Sequence, residues 1–146
     1  MSHNIIDWNG EYLYNCLFFT VAHPVFTKLR AKWYSNPHEK GGHKIVPPDL
    51  HLTWRTAAVW TCDDGSNHFS KKYKQKNLIL HTESFSENDV DFLLEKLYND
   101  LGISGAINHH YSKPTIRICG DNAISFIEQI KPFIPWKCFQ YKLKTI

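Results

Sequence analysis

The fold is decided by LTWRTAAVWTCDDGS, residues 52–66. The Thr53 hydroxyl can accept from the unbonded amides that open a helix, and Gly65 is the usual residue for leaving one, so the stretch carries both of its boundaries. Between them Ala57, Ala58 and Thr61 form a strip of small side chains that lets a second backbone come close, while Val59 and Trp60 are expected to face the core. Asp63 and Asp64 then fall at the carboxyl end, where the helix dipole disfavours an anion by roughly 0.3–1 kcal/mol each. Two readings account for that cost. A carboxylate at the tip of a helix packed on a twin helix is a place where a hard divalent cation binds, and Asp-Asp-Gly is also ordinary turn chemistry.

Outward from that helix, composition sets limits. A chain of 146 residues, 42% apolar and 21% charged, is large enough for one core. No stretch approaches the length of a membrane span, and the first nine residues are polar where a cleavable leader would be hydrophobic, so the chain is expected to stay in the compartment where it is made. The net charge of +3 permits a nucleic-acid partner without demanding one. Cys16, Cys62, Cys119 and Cys138 lie too far apart for a zinc knuckle or a redox pair and read as buried thiols. The histidines show no helical His-x-x-x-His spacing.

Upstream, EYLYNCLFFTV (residues 11–21) reads as one or two strands, and a helix is expected over residues 24–34, with Pro24 in its first turn and Val25, Phe26, Leu29 and Trp33 at helical spacing. Glycines and prolines make residues 36–49 a loop. Downstream, NHFSKKYKQK (residues 67–76) is either a solvated hairpin tip or a basic element that follows a phosphate backbone. In the second case Asn67, His68, Ser70, Lys71, Lys72, Tyr73, Lys74, Gln75 and Lys76 supply the contacts.

Residues 78–83 alternate, with Leu78, Leu80 and Thr82 on one face and Ile79, His81 and Glu83 on the other. Ser86 and Asp89 form a capping box for a helix whose stripe is Val90, Leu93, Leu94, Leu97 and Leu101 and whose end is Gly102. Strands over residues 106–111 and 115–119, joined by a turn at 112–114, would bury Ile107, Ile116 and Ile118 and leave Asn108, His110, Thr115 and Arg117 on an open face. Such side chains match base edges, and they are also what any solvent-facing strand carries. A last helix is expected over residues 122–130, capped by Asp121, with Ile124, Phe126, Ile127 and Ile130 apolar.

The 52–66 stretch resembles the signature helix of the LAGLIDADG homing endonucleases, in the variant ending Asp-Asp-Gly-Ser. The likeness continues in HPVFTKLRAKWY, KIVPPDL, NLILHTESFS and IKPFIPWKCFQYKL, and so covers about residues 10–143. It implies an α+β fold built on an αββαββα repeat with an antiparallel DNA-binding β-saddle over residues 52–146. Residues 1–51 would be an N-terminal extension resembling the tail of a first repeat.

It also implies cleavage of double-stranded DNA with Mg²⁺, Mn²⁺ being expected to substitute. Asp64 is then the metal-binding and catalytic carboxylate, the carbonyl of Asp63 a further ligand, and Lys142 of the closing Tyr-Lys-Leu a second catalytic group near the scissile phosphate. A full centre takes two motif helices and this chain has one. A homodimer joined through Ala57, Ala58 and Thr61 on a near-palindromic site is therefore expected. The alternatives on the same fold are a maturase bound to intron RNA and a DNA-binding regulator without chemistry. The compartment would be that of a mobile-intron host genome.

Overall fold

The computed structural model describes residues 3–8, 11–16, 21, 23–36, 42–70, 75–134 and 137–143. The chain divides into two compact units, Met1–Arg30 and Ala31–Ile146. In the first, β1 (His3–Trp8) and β2 (Glu11–Cys16) form an antiparallel hairpin in which Trp8 faces Glu11. The second of these strands falls within the stretch expected to be extended, whereas β1 comes from residues that read as merely polar, although they include Ile5, Ile6 and Trp8. Helix α1 (Pro24–Trp33) begins at Pro24, as its fixed φ favours. Its expected apolar residues Val25, Phe26 and Leu29 are exposed among the described residues, so they do not form a core face there.

The second unit runs α2 (Trp54–Asp64), β3 (Gly65–Ser70), β4 (Gln75–Leu80), α3 (Glu87–Leu101), β5 (Ala106–His110), β6 (Lys113–Cys119) and α4 (Gly120–Ile130), followed by 3-10 segments at Lys131–Phe133 and Lys137–Leu143. This is the expected αββαββα order. Its sheet has the order β3-β4-β6-β5, all antiparallel, so two hairpins meet along β4 and β6.

The caps written in the sequence are made. Thr53 Oγ1 accepts from the Thr56 amide at 3.2 Å while Thr56 Oγ1 accepts from the Thr53 amide at 2.8 Å, and Ser86 with Asp89 closes the same box on α3. Gly102 ends α3 at φ +69°, a left-handed position that suits glycine. Helix α4 departs from expectation: it starts at Gly120 after Cys119, with no side-chain cap from Asp121.

The core lies between one face of the sheet and the three helices. Leu78 and Leu80 of β4 and Ile116 and Ile118 of β6 are fully buried against Phe126, Ile127 and Ile130 of α4 and against Val90, Leu93 and Leu97 of α3. Each such side chain contributes about 1.5–3 kcal/mol by leaving water. Ile124 is exposed, a correction to the apolar stripe expected for α4, whose inward positions are taken by Ala123, Phe126, Ile127 and Ile130. The β5–β6 turn also differs from the expected 112–114. Tyr111 (φ 49°) and Ser112 (φ 64°) form it, and Pro114 lies inside β6, ahead of the stretch that pairs with β4. Two successive positive φ values are what a two-residue hairpin of matching twist requires.

The segment before α2 is strapped to α3. The Val46 amide donates to Asp89 Oδ1 at 2.9 Å and the Leu52 amide to Asp100 Oδ2 at 2.7 Å, so two carboxylates of one helix fix the entry to another. Among the described residues no helix is long and apolar enough to cross a membrane.

Candidate active site and nucleic-acid face

Helix α2 has acids and no base in its last turn, so its terminal carbonyls are left to a cation from elsewhere. Lys142 supplies it. Its Nζ donates to the carbonyls of Thr61 at 3.2 Å and Cys62 at 2.6 Å, and the side chain is buried across the Phe139 ring. A lysine 80 residues away in sequence thereby closes the helix end that carries Asp63 and Asp64, both exposed. The structure thus brings together the catalytic candidates that the sequence lists far apart.

Gly65 joins α2 to β3 directly. Its φ of −88° is open to any residue, so glycine is not needed here for a left-handed helix exit. A Cβ at Gly65 would lie 2.4 Å from the Thr61 carbonyl oxygen and 2.7 Å from Thr61 Cγ2. Close approach of strand to helix is the reason, and it fixes the direction in which Asp64 leaves the helix. The His81 amide, donating to the Asp64 carbonyl at 2.9 Å, holds the same residue from the position just after β4.

The small residues of α2 are placed otherwise than expected. Ala57, Ala58 and Thr61 are buried within the chain, where α2 meets α4 and the 3-10 segments, and Val59 is the exposed residue, at 49%. The expected interface strip is therefore already covered by the chain's own packing. The exposed residues of α2 are instead Arg55, Thr56, Val59, Asp63 and Asp64, while Trp60 is half-buried against the core, as expected. Beside it lies a cleft of about 280 Å³ whose lining includes Trp33, Leu50, Trp60, Phe85 and, at one end, Asp64.

On the side of the sheet away from the helices, Arg117 and His110 are exposed and Asn108 is half-buried. Glu83 is gripped by two imidazoles, His81 Nδ1 at 2.9 Å and His110 Nδ1 at 3.4 Å, and His81 Nε2 reaches Ser66 Oγ at 3.0 Å. Burial pushes the Glu83 carboxyl up, but the hydrogen bond from His81, its own backbone bond and His110 outweigh this and hold it below the usual glutamate range.

Two expected nucleic-acid contacts are corrected by burial, and a third is engaged inside the chain. Thr115 is fully buried and its hydroxyl donates to the Asn108 carbonyl at 2.9 Å. Lys76 is buried, and desolvation pushes its ammonium below the usual lysine range. Asn67 donates from Nδ2 to the Lys142 carbonyl at 2.7 Å. Alternation placed Thr115 on the open face and composition gave Asn67 and Lys76 to a basic element, and neither signal says which neighbours cover a side chain. Lys71, Lys72, Tyr73 and Lys74 lie outside the described residues, as do the side chains of His68, Ser70 and Gln75, whose backbones belong to β3 and β4.

Among the described residues no three His, Cys, Asp or Glu side chains converge as a metal cage. Asp63 and Asp64 offer exposed hard oxygens, a donor set that fits Mg²⁺ or Mn²⁺ as part of a site completed by water, substrate phosphate and a further carboxylate. Cys62 is a buried thiol and Cys119 a half-buried one whose Sγ donates to Asn77 Oδ1 at 3.1 Å, so neither is placed as a metal ligand.

A polar sheet face backed by helices, with paired acids at the end of a helix that continues straight into the sheet, makes this an α+β fold built on one αββαββα repeat. The chain belongs to the LAGLIDADG DNA endonuclease family, which it matches over residues 3–126. It is 30% identical over 138 residues to the "Probable intron-encoded endonuclease 1" of Wickerhamomyces canadensis, a match covering 92% of this chain and 54% of that protein. It is 32% identical over 93 residues to the cytochrome b mRNA maturase bI2 of Saccharomyces cerevisiae, covering 62% of this chain and 21% of the maturase. Among solved structures it is similar to the homing endonuclease I-WcaI bound to its DNA recognition sequence, with a TM-score of 0.75 and 26% identity over 99% of this chain and 64% of that one. The chain thus spans about half the length of the first of these relatives and under two thirds of the solved chain.

Proposed function

We propose that the chain acts as a site-specific homing endonuclease, making a Mg²⁺-dependent double-strand break in DNA. The observation that carries this reading is the convergence at one end of α2: exposed Asp63 and Asp64, with the Lys142 ammonium on the last carbonyls of the same helix. The Asp64 carboxylate and the Asp63 carbonyl would hold the cation, which when bound supplies Lewis acidity toward a phosphodiester. Among the described residues two of the three Lys142 N–H donors bond α2, and the third offsets negative charge on the phosphate. Arg117, Asn108, His81, Glu83 and His110 read base edges, and Lys71, Lys72 and Lys74 follow the backbone.

One chain brings one acid-tipped helix. A second copy, meeting the first across the outward face of α2, would supply the other and match a near-palindromic site. The exposed Val59 and the cleft beside Trp60 and Asp64 favour that face. A maturase reading is kept for one reason, the likeness to the mRNA maturase.

The test incubates purified protein with a plasmid library carrying a randomised insert, in Mg²⁺, in Mn²⁺ and in EDTA, beside Asp64→Asn. Linear product that needs the metal and disappears in the variant is expected, with light scattering giving a dimer. Wild-type protein that binds DNA but never cuts it in Mg²⁺ would move the assignment to a regulator or a maturase.

A further inference from the structure

The lysine that closes α2 is itself held at its other end. Asn67 stands on β3 three residues beyond Asp64, and its Nδ2 donates to the main-chain carbonyl of Lys142 at 2.7 Å, joining positions 75 residues apart. We propose that Asn67 is a positioning residue of the cleavage centre, setting where the Lys142 ammonium sits by fixing the backbone from which that side chain springs. The proposal rests on the nuclease reading above.

A lysine has a long flexible stem, so a bond at Nζ alone leaves its origin loose. Here both ends are tied: Nζ to the carbonyls of Thr61 and Cys62, and the main chain to Asn67. The tie falls where it is needed. Lys142 is next to last in the 3-10 segment Lys137–Leu143, and the last carbonyls of such a segment have no amide of their own helix to accept from. An amide side chain suits the task because it can donate, whereas a carboxylate of the same shape would set acceptor against acceptor. Asn67 also belongs to the strand that pairs with β4 through Asn67 and Leu78, on the sheet that the reading lays against DNA. One side chain therefore joins the DNA-facing sheet to the placement of the catalytic lysine.

The experiment compares the full chain with Asn67→Ala and the isosteric Asn67→Asp in two assays. In the first, lysines are acetylated with a water-soluble reagent and read by mass spectrometry. Modification of Lys142 should accelerate about threefold or more in both variants, with exposed Lys131 unchanged as the internal standard. An unaltered Lys142 rate in Asn67→Asp overturns the proposal, and this isostere decides should Asn67→Ala lose its fold.

In the second assay, the plasmid site recovered from the library is cut under single turnover. The rate at saturating protein should fall about tenfold or more with half-saturation within about twofold of wild type, and adding Asn67→Ala to Lys142→Met should cost nothing further. A raised half-saturation at an unaltered rate makes Asn67 a DNA contact, and a loss additive with Lys142→Met makes it independent of the lysine. Either overturns the proposal. A wild type that cuts nothing overturns the nuclease reading and the cleavage role with it, while the acetylation result still reports by itself whether the tie exists.

Discussion

Replacing Gly65 by alanine tests how the acidic helix end is joined to the sheet. At φ −88° and ψ 138° alanine is at ease, and reducing the freedom of the unfolded chain would by itself stabilise by about 0.4–1 kcal/mol. Against this, the new Cβ would meet the Thr61 oxygen at 2.4 Å, Thr61 Cγ2 at 2.7 Å and Thr61 Cα at 2.8 Å. Two of these are backbone atoms in the last turns of a packed helix, so the strand must move away from α2. Overpacking of that kind costs about 1–3 kcal/mol. The net expectation is a loss of about 1–2 kcal/mol, or a melting point lower by roughly 2–8 °C for a chain of this size. Urea titration followed by circular dichroism measures it.

Gly102→Ala is the companion, because a Cβ there meets nothing within 4 Å and only its φ of +69° is unfavourable, by about 1 kcal/mol. Removing Cγ2 with Thr61→Ser should leave most of the Gly65→Ala loss in place, since the nearest atom is the carbonyl oxygen. A Gly65→Ala protein as stable as wild type, or one fully restored by Thr61→Ser, would refute the reasoning from close approach.

Acid should loosen the strap before α2. The Leu52 amide, with help from nearby cations, holds the Asp100 carboxyl below its usual 3.8, so its contribution is whole above that value and is lost as pH falls through the lower folded one. Urea midpoints taken from pH 6 downward should decline less steeply in Asp100→Asn than in wild type, and identical slopes would rule this out. On the open face, Arg117→Ala should weaken DNA binding and relax base preference at one position, by about 1–3 kcal/mol, as read by gel shift on substituted duplexes. Thr115→Val should leave binding within about twofold and instead cost about 1 kcal/mol of stability, since its hydroxyl is bonded inside the sheet.

The parts of this structure that were legible in the sequence are those governed by neighbours along the chain. Thr53 as a cap, Ser86 with Asp89, and Gly102 depend on spacings of a few residues, and the alternation of Leu78, Leu80 and Thr82 depends on the pleat. What was hidden depends on distant neighbours. The inward side of α2 is made of small side chains, so no stripe of large apolar residues marks it, and Ala57 and Ala58 look equally suited to a partner chain or to α4. The same holds for Lys142. Its place on α2 had one local signal, the lack of a base in that helix's last turn, and nothing nearby said which of the chain's cations would answer it.

The sheet's two hairpins are joined by four residue pairs, from Asn77 with Cys119 to Leu80 with Ile116. That seam is about 10 Å long, shorter than the ribbons on either side of it. Strand twist accumulates from ribbon to ribbon across such a joint, so a rod laid over the surface meets two blades set at an angle rather than one flat plate. The angle at the joint sets which surfaces the sheet can match, and side chains at the far ends of the blades are the ones whose spacing depends on it most.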